Sequence, residues 1–139
     1  MTAKAVDYVE GILQREGIKY NKIEMPQESD SEMVATVFKS AGVIIAAPTY
    51  EYKLFPPVAA ALDEIGRKRI TGKLAFRFGS YGWSGGAEKE LKEIIERNKM
   101  NWDFIESVEF EGAPKEEDLA KLETKVLELV EKMKEKVVK

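Results

Sequence analysis

The sequence predicts an α/β fold, a doubly wound parallel sheet with helices on both faces. One observation is the apolar run at 42–47, which lies between Gly42 and Pro48 and is typical of a strand that is covered on both faces. The other is that stretches with helical spacing of apolar residues alternate with strand-like runs along the chain. We find no repeat or linker, so residues 1–139 are expected to form one domain with a substantial core.

The elements before this run are predicted as helix, strand and helix. The first helix is expected to end at Gly17, because apolar residues recur at helical spacing before it, at Ala5, Val9, Ile12 and Leu13. In segment 18–25 polar residues lie between the apolar ones, which is typical of an edge strand. Ser29, with Glu32 three residues later, resembles the start of a second helix that ends near Gly42.

After the run, a loop is predicted over 48–54 and a third helix follows, because Pro56 and Pro57 suit a first helical turn. Residues 73–78 are typical of another inner strand, and a second loop is expected at 79–86.

The last third of the chain continues the alternation. Helical spacing of apolar residues predicts a helix at about 87–98, and residues 102–110 are interpreted as one strand or two short ones. An apolar stripe predicts a long final helix over about 115–136.

Composition excludes several classes of function. Net charge is −3, from 22 basic and 25 acidic residues, which gives no reason to expect a nucleic-acid partner. No apolar run reaches the roughly 20 residues of a membrane span, and the start lacks the apolar centre of a signal peptide, so a cytoplasmic location without membrane partners is expected. The chain has no cysteine and no histidine, which excludes thiolate nucleophiles, imidazole bases and Cys- or His-based metal sites. Carboxylate and lysine chemistry remain possible, and any redox or group-transfer chemistry would come from a bound organic cofactor. We expect no catalytic residue and no metal ligand.

Two loops of unusual composition follow neighbouring inner strands, where parallel α/β sheets bind their ligands. Their aromatic rings suit a planar ligand, their glycines allow close backbone approach, and their hydroxyls add hydrogen-bonding groups. In an alternative without a ligand, Tyr81 and Trp83 only anchor a long loop and the glycines only make turns. The candidate cofactor-binding residues are Pro48, Thr49, Tyr50, Glu51 and Tyr52 in the first loop, and Gly79, Ser80, Tyr81, Gly82, Trp83, Ser84 and Gly85 in the second.

At these loops the sequence resembles a known family, the flavodiiron proteins or A-type flavoproteins, in their C-terminal flavodoxin-like domain. The resemblance covers nearly the whole chain and includes the ending that starts at Gly112-Ala113-Pro114. The most specific motif is the second loop, and the full set is Pro48-Thr49, Phe55-Pro56-Pro57 and Phe78-Gly79-Ser80-Tyr81-Gly82-Trp83-Ser84-Gly85-Gly86-Ala87.

The resemblance implies that FMN binds at the sheet edge, with residues 49–52 along the isoalloxazine and residues 80–85 around its other side and polar edge. It also implies electron relay from a rubredoxin-like or reductase donor to a di-iron centre that reduces oxygen or nitric oxide. That centre lies in a separate metallo-β-lactamase-like domain rich in histidine, which this histidine-free chain does not contain. We therefore expect an electron-transfer module and not a complete oxidoreductase.

The family's fold begins with a strand and a phosphate-binding loop, whereas this sequence opens in the helix that should follow them. We accordingly expect an incomplete flavodoxin-like sheet, truncated at its N-terminal side, with weakened FMN affinity. An alternative is a degenerate fragment that acts as an interaction or dimerisation module without tight flavin binding, since exposed strand edges favour association. A third reading is a planar ligand that needs no phosphate anchor.

Overall fold

A computed structural model describes residues 2–24, 30–50, 53–81 and 86–138 of the chain. The helices in these ranges are α1 (Thr2–Arg15), α2 (Asp30–Lys39), α3 (Pro56–Arg67), α4 (Ala87–Arg97) and α5 (Glu116–Val138). The strands are β1 (Gly42–Ala46), β2 (Thr49–Tyr50), β3 (Lys53–Leu54), β4 (Leu74–Tyr81), β5 (Asp103–Phe104) and β6 (Val108–Glu111).

Strand β4 is the centre of the parallel sheet. Strand β1 runs along one side of it, in register from the Gly42–Leu74 pair to the Ala46–Phe78 pair. On the other side, β5 pairs with the start of β4 and β6 pairs with its end. The prediction that β4 ends before residue 79 is wrong, because β6 continues to pair with it through Tyr81.

The stretch 102–110 forms two short strands, one of the two forms that the sequence allowed. Phe104 pairs with Ala75, and Val108 pairs with Phe78. Three residues, 105–107, therefore lie between Phe104 and Val108, whereas only Phe76 and Arg77 lie between their partners in β4.

Helices cover both faces of the sheet, which confirms the α/β class. Helices α1 and α5 pack on one face, and α2, α3 and α4 pack on the other, each against its own apolar cluster. The predicted apolar stripes supply these clusters, as in α1, where Ala5, Val9, Ile12 and Leu13 are all buried. No helix in the described ranges is long and apolar enough to cross a membrane.

Two further predictions need correction. Residues 18–24 form no strand: within the described ranges β1 is the edge of the sheet and pairs only with β4, and residues 18–24 pair with no strand. The predicted loop 48–54 contains an antiparallel hairpin, β2–β3, which pairs Thr49 with Leu54. The proposed helix start at Ser29 lies outside the described residues.

Candidate functional site

The ends of β1 and β4 and the start of α1 meet at the carboxyl edge of the sheet. Beyond the end of β1, the amide of Ala47 donates to the carbonyl of Phe78 at 3.0 Å. The hydroxyls of Thr2 and Ser80 lie 3.0 Å apart, and the Ser80 amide donates to Thr2 Oγ1 at 3.3 Å. This edge therefore brings the base of the first predicted loop, the base of the second and the N-terminus of a helix together.

The close approach of the first loop to β4 depends on a glycine. A Cβ atom built on Gly79 would lie 2.6 Å from the carbonyl carbon of Ala47, nearer still to its oxygen, and 3.1 Å from the nitrogen of Pro48. These are backbone atoms, so they cannot move aside as a flexible side chain would. Gly79 is thus required for packing between the two loops, and its predicted contact with a ligand stays a prediction.

A fully buried arginine lies directly below this edge. Arg77 is 0% exposed, and its Nη2 donates to the carbonyl of Ala47 at 2.8 Å. Its Nη1 lies 3.1 Å from Glu109 Oε2 and 3.6 Å from Glu88 Oε2. A buried guanidinium is tolerated only when opposite charges and acceptors surround it, so these contacts explain a charged residue inside an apolar strand.

The arginine cluster joins three elements that build the edge. Ala47 follows β1, Glu109 belongs to β6, and Glu88 lies in the first turn of α4. The hydroxyl of Thr49 reaches the same Glu109 carboxylate at 3.5 Å, which extends the cluster toward the first loop. Arg77 Nε and Nη1 and Glu88 Oε2 form no hydrogen bond within the described ranges, so the ion pairs hold the cluster mainly by charge.

The first loop is further held by its hairpin. The amide of Leu54 donates to Glu90 Oε1 at 2.7 Å, and the amide of Phe55 donates to the Pro48 carbonyl at 3.2 Å. The Leu54 side chain is 1% exposed. The base of the hairpin is therefore anchored both to the core and to the first turn of α4.

The structure describes about half of the candidate residues. Pro48, Thr49, Ser80 and Tyr81 are half-buried at the carboxyl edge, and the backbone of Tyr50 belongs to β2. Glu51, Tyr52, Gly82, Trp83, Ser84 and Gly85 lie outside the described residues, and their roles stay predictions.

The residues that support these loops lie outside the set of predicted cofactor-binding residues. Arg77 stands out in the sequence, because an arginine within an apolar strand needs an acidic or hydrogen-bonding partner. Nothing in the sequence marked Glu88, Glu109 or Thr2, because their contacts depend on tertiary structure.

Comparisons of sequence find relatives among nitric oxide reductases, although no model of a protein family matches the chain. It is 38% identical over 76 residues to the anaerobic nitric oxide reductase flavorubredoxin of Pectobacterium carotovorum subsp. carotovorum (strain PC1), a match that covers 55% of this chain and 15% of that protein. It is 28% identical over 102 residues to a nitric oxide reductase of Moorella thermoacetica, over 73% of this chain and 25% of the relative. The chain thus spans a quarter or less of the length of these relatives.

Comparisons of structure find flavodiiron proteins and flavodoxins. Rubredoxin oxygen:oxidoreductase from the anaerobe Desulfovibrio gigas matches with a TM-score of 0.89 and 24% identity, over 99% of this chain and 34% of that one. A flavodoxin from the domain Archaea matches with a TM-score of 0.78 and 20% identity, over 96% of this chain and 90% of that one. The fold is therefore flavodoxin-like, and the resemblance to the flavodoxin-like domain of flavodiiron proteins is confirmed by both kinds of comparison.

Proposed function

We propose that this chain is an FMN-binding electron-transfer module. The observation that carries the proposal is the meeting of both candidate loops at one sheet edge, where the Ala47 carbonyl packs onto Gly79 above the buried Arg77. In this proposal the planar ring lies between residues 48–52 and 79–85. Bound FMN would supply the redox chemistry, since the chain has no histidine or cysteine to do so.

The groups at the edge fit the parts of FMN. The half-buried ring of Tyr81 suits contact with a flat heterocycle, and the hydroxyls of Thr49 and Ser80 suit its polar margins. Helix α1 starts beside Ser80, and a helix N-terminus favours an anion such as a phosphate through its free amides and its dipole. The roles of these residues are to bind and orient the cofactor and to keep water from one side of it.

The partners that we propose follow the relatives' names. The relatives are named as nitric oxide reductase flavorubredoxins and as a rubredoxin oxygen:oxidoreductase. We accordingly propose that electrons arrive from a rubredoxin-like or reductase donor and leave for a di-iron domain outside this chain. The activity of the whole relatives is part of this proposal, because the chain matches only a fraction of their length.

Flavin titration tests the proposal. Purified protein is added to FMN, whose fluorescence should be quenched in proportion to binding, and a parallel titration with riboflavin measures what the phosphate contributes. Thr49→Val should weaken binding about fivefold to tenfold, as expected for the loss of one hydrogen bond of about 1 kcal/mol. Thr71→Val is the matched control, because Thr71 is exposed before the start of β4, at the opposite end of that strand.

The titration has two outcomes that contradict parts of the proposal. If FMN fluorescence is not quenched by protein whose circular-dichroism spectrum shows that it is folded, the proposal that the chain binds FMN is refuted. Equal affinity for riboflavin and FMN would favour a planar ligand held without its phosphate.

The second candidate function is an interaction or dimerisation module, and the observation that favours it is the edge position of β1. Light scattering at several protein concentrations tests it. A dimer mass would support self-association through this edge, and a monomer at all concentrations would contradict the dimerisation form of this candidate.

A further inference from the structure

Arg77 interrupts an apolar stretch at the centre of the sheet. Residues 74–79 of β4 are buried, and Arg77 is the charged one among them. A buried ion pair is weak evidence for stability, because apolar residues of similar volume often stabilise a core as well or better. The stability of the core therefore does not explain why this position holds an arginine.

Each polar contact of Arg77 in the described ranges lies beside one of the two candidate loops. Ala47, whose carbonyl accepts from Nη2 at 2.8 Å, comes directly before the first loop. Glu88, 3.6 Å from Nη1, lies in the first turn of α4, the helix that follows the second loop. Glu109, 3.1 Å from Nη1, pairs through its backbone with Gly79 at the base of the second loop. One guanidinium thus joins the bases of both loops.

Glu109 extends the cluster to a candidate binding residue. Its Oε2 atom, which faces Arg77, also accepts a hydrogen bond from the hydroxyl of Thr49 at 3.5 Å. An arginine presents its donors in a rigid planar fork, so it fixes the directions of the groups around it more strictly than a lysine would. The Ala47 carbonyl and the Thr49 hydroxyl are therefore both placed relative to β4 by one side chain.

Arg77 does not itself reach the surface at which a ligand would bind. Its side chain is 0% exposed, whereas those of Glu88 and Glu109 are 30% and 27% exposed. Any contribution of Arg77 to a ligand site must therefore pass through the residues that it holds.

We propose that Arg77 is a positioning residue of the flavin site, which sets the separation of the two candidate loops without touching the flavin. This role rests on the proposed function, because it requires the ring to lie between residues 48–52 and 79–85. Without the arginine, the Ala47 carbonyl and the carboxylates of Glu88 and Glu109 lose their common partner, so the loop bases are free to move apart. A flavin must then order the loops as it binds, which lowers its affinity.

A variant without charges in the cluster separates positioning from stability. Arg77→Met alone leaves two carboxylates without their cation and destabilises the fold. Arg77→Met combined with Glu88→Gln and Glu109→Gln leaves no unpaired charge in the cluster, so it should regain most of the stability that Arg77→Met loses. Arg77→Lys is the second variant, because it keeps the positive charge but cannot reach all three partners with one ammonium group. It keeps the test decisive if the combined variant does not fold.

Amide hydrogen exchange in the free protein measures how firmly the first loop is held. The amides of Ala47 and Phe55 form backbone hydrogen bonds at the base of this loop. In both variants these amides should exchange about tenfold faster than in the wild type, because the loop base opens locally. The amide of Met100, at the opposite end of the sheet, should stay within about twofold of its wild-type rate.

Flavin titration measures the effect on the site. Both variants should bind FMN and riboflavin about tenfold more weakly than the wild type, by the same factor for the two ligands, because contacts with the ring change and contacts with the phosphate do not. Met100→Ala is the matched control for lost stability, because Met100 is 0% exposed and its truncation leaves a cavity beside Gly72, at the other end of β4. The folded control should bind FMN within about twofold of the wild type.

Three results would overturn the role of Arg77 alone. The variants could match the wild type in flavin affinity, with or without faster exchange, which would show that the arginine does not position the site. Met100→Ala could lose as much affinity as they do, which would make the effect one of general stability. The loss could be confined to FMN and spare riboflavin, which would place the effect at the phosphate. A wild type that binds neither ligand would instead refute the proposed function and this role together.

Discussion

Replacing Gly79 with alanine tests the packing of the first loop on β4 most directly. The new methyl group would lie 2.6 Å from the carbonyl carbon of Ala47, whereas nonbonded carbon atoms prefer about 3.5–4.0 Å. The loop must therefore move by about 1 Å, and that movement breaks the hydrogen bond from Arg77 to the Ala47 carbonyl. Overpacking costs about 1–3 kcal/mol and a charged hydrogen bond about 1.5–3 kcal/mol, so unfolding free energy should fall by about 3–5 kcal/mol.

Urea denaturation followed by circular dichroism measures this loss. Gly11→Ala is the matched control, because a Cβ at Gly11 meets nothing within 4 Å and the residue lies inside α1. That control should gain about 0.5–1 kcal/mol from the lower backbone freedom of alanine. An unfolding free energy for Gly79→Ala within about 0.5 kcal/mol of the wild type would refute the packing argument.

Two further substitutions test charged groups. Arg77→Met should lower the unfolding free energy by about 3 kcal/mol, which is at the low end for a broken buried ion pair. The value is low because the carboxylate partners of Arg77 keep about a quarter of their surface exposed and can rehydrate. A loss below about 1 kcal/mol in urea denaturation would contradict the role of the cluster. Asp63 accepts hydrogen bonds from Arg97 at 2.7 and 2.8 Å, and this lowers the pKa of Asp63 in the folded state. The contribution of Asp63 to the unfolding free energy is present above the unfolded pKa of about 3.9 and is lost as pH falls through the lower folded pKa. From about pH 5 to pH 2 the unfolding free energy of the wild type should therefore fall by up to about 1 kcal/mol more than that of Asp63→Asn. Equal pH slopes for the two proteins would show that the pair does not stabilise the fold.

The sequence predicted the elements whose pattern is local. Helix α3 begins at the two prolines as expected, and the apolar spacing of α1 and α5 marked the side chains that are buried. The run beginning at Gly42 is a parallel strand, because an apolar run of this kind is stable only when both faces are covered.

The incorrect predictions concern pairing between distant residues. Segment 18–25 has the alternation of a strand, but a strand forms only beside a neighbour, and residues 18–24 pair with no strand in the described part of the chain. Strand β4 continues past Gly79 because β6, about 30 residues later, supplies its hydrogen-bond partners. The acidic partners of Arg77 were hidden for the same reason, since carboxylates on α4 and β6 look like ordinary surface residues in the sequence.

The unequal spacing between β5 and β6 decides which side chains face the buried arginine. Phe104 and Glu109 both lie on the face of Ala75 and Arg77, yet strict alternation from Phe104 would place residue 109 on the opposite face. The one extra residue in 105–107 reverses which side chains of the following strand face each side of the sheet. Val108 and Phe110 therefore enter the cluster of α1 and α5, while Glu109 reaches Arg77. Deleting a single residue there would exchange these sets, bringing a carboxylate into an apolar layer and leaving the guanidinium with phenylalanine.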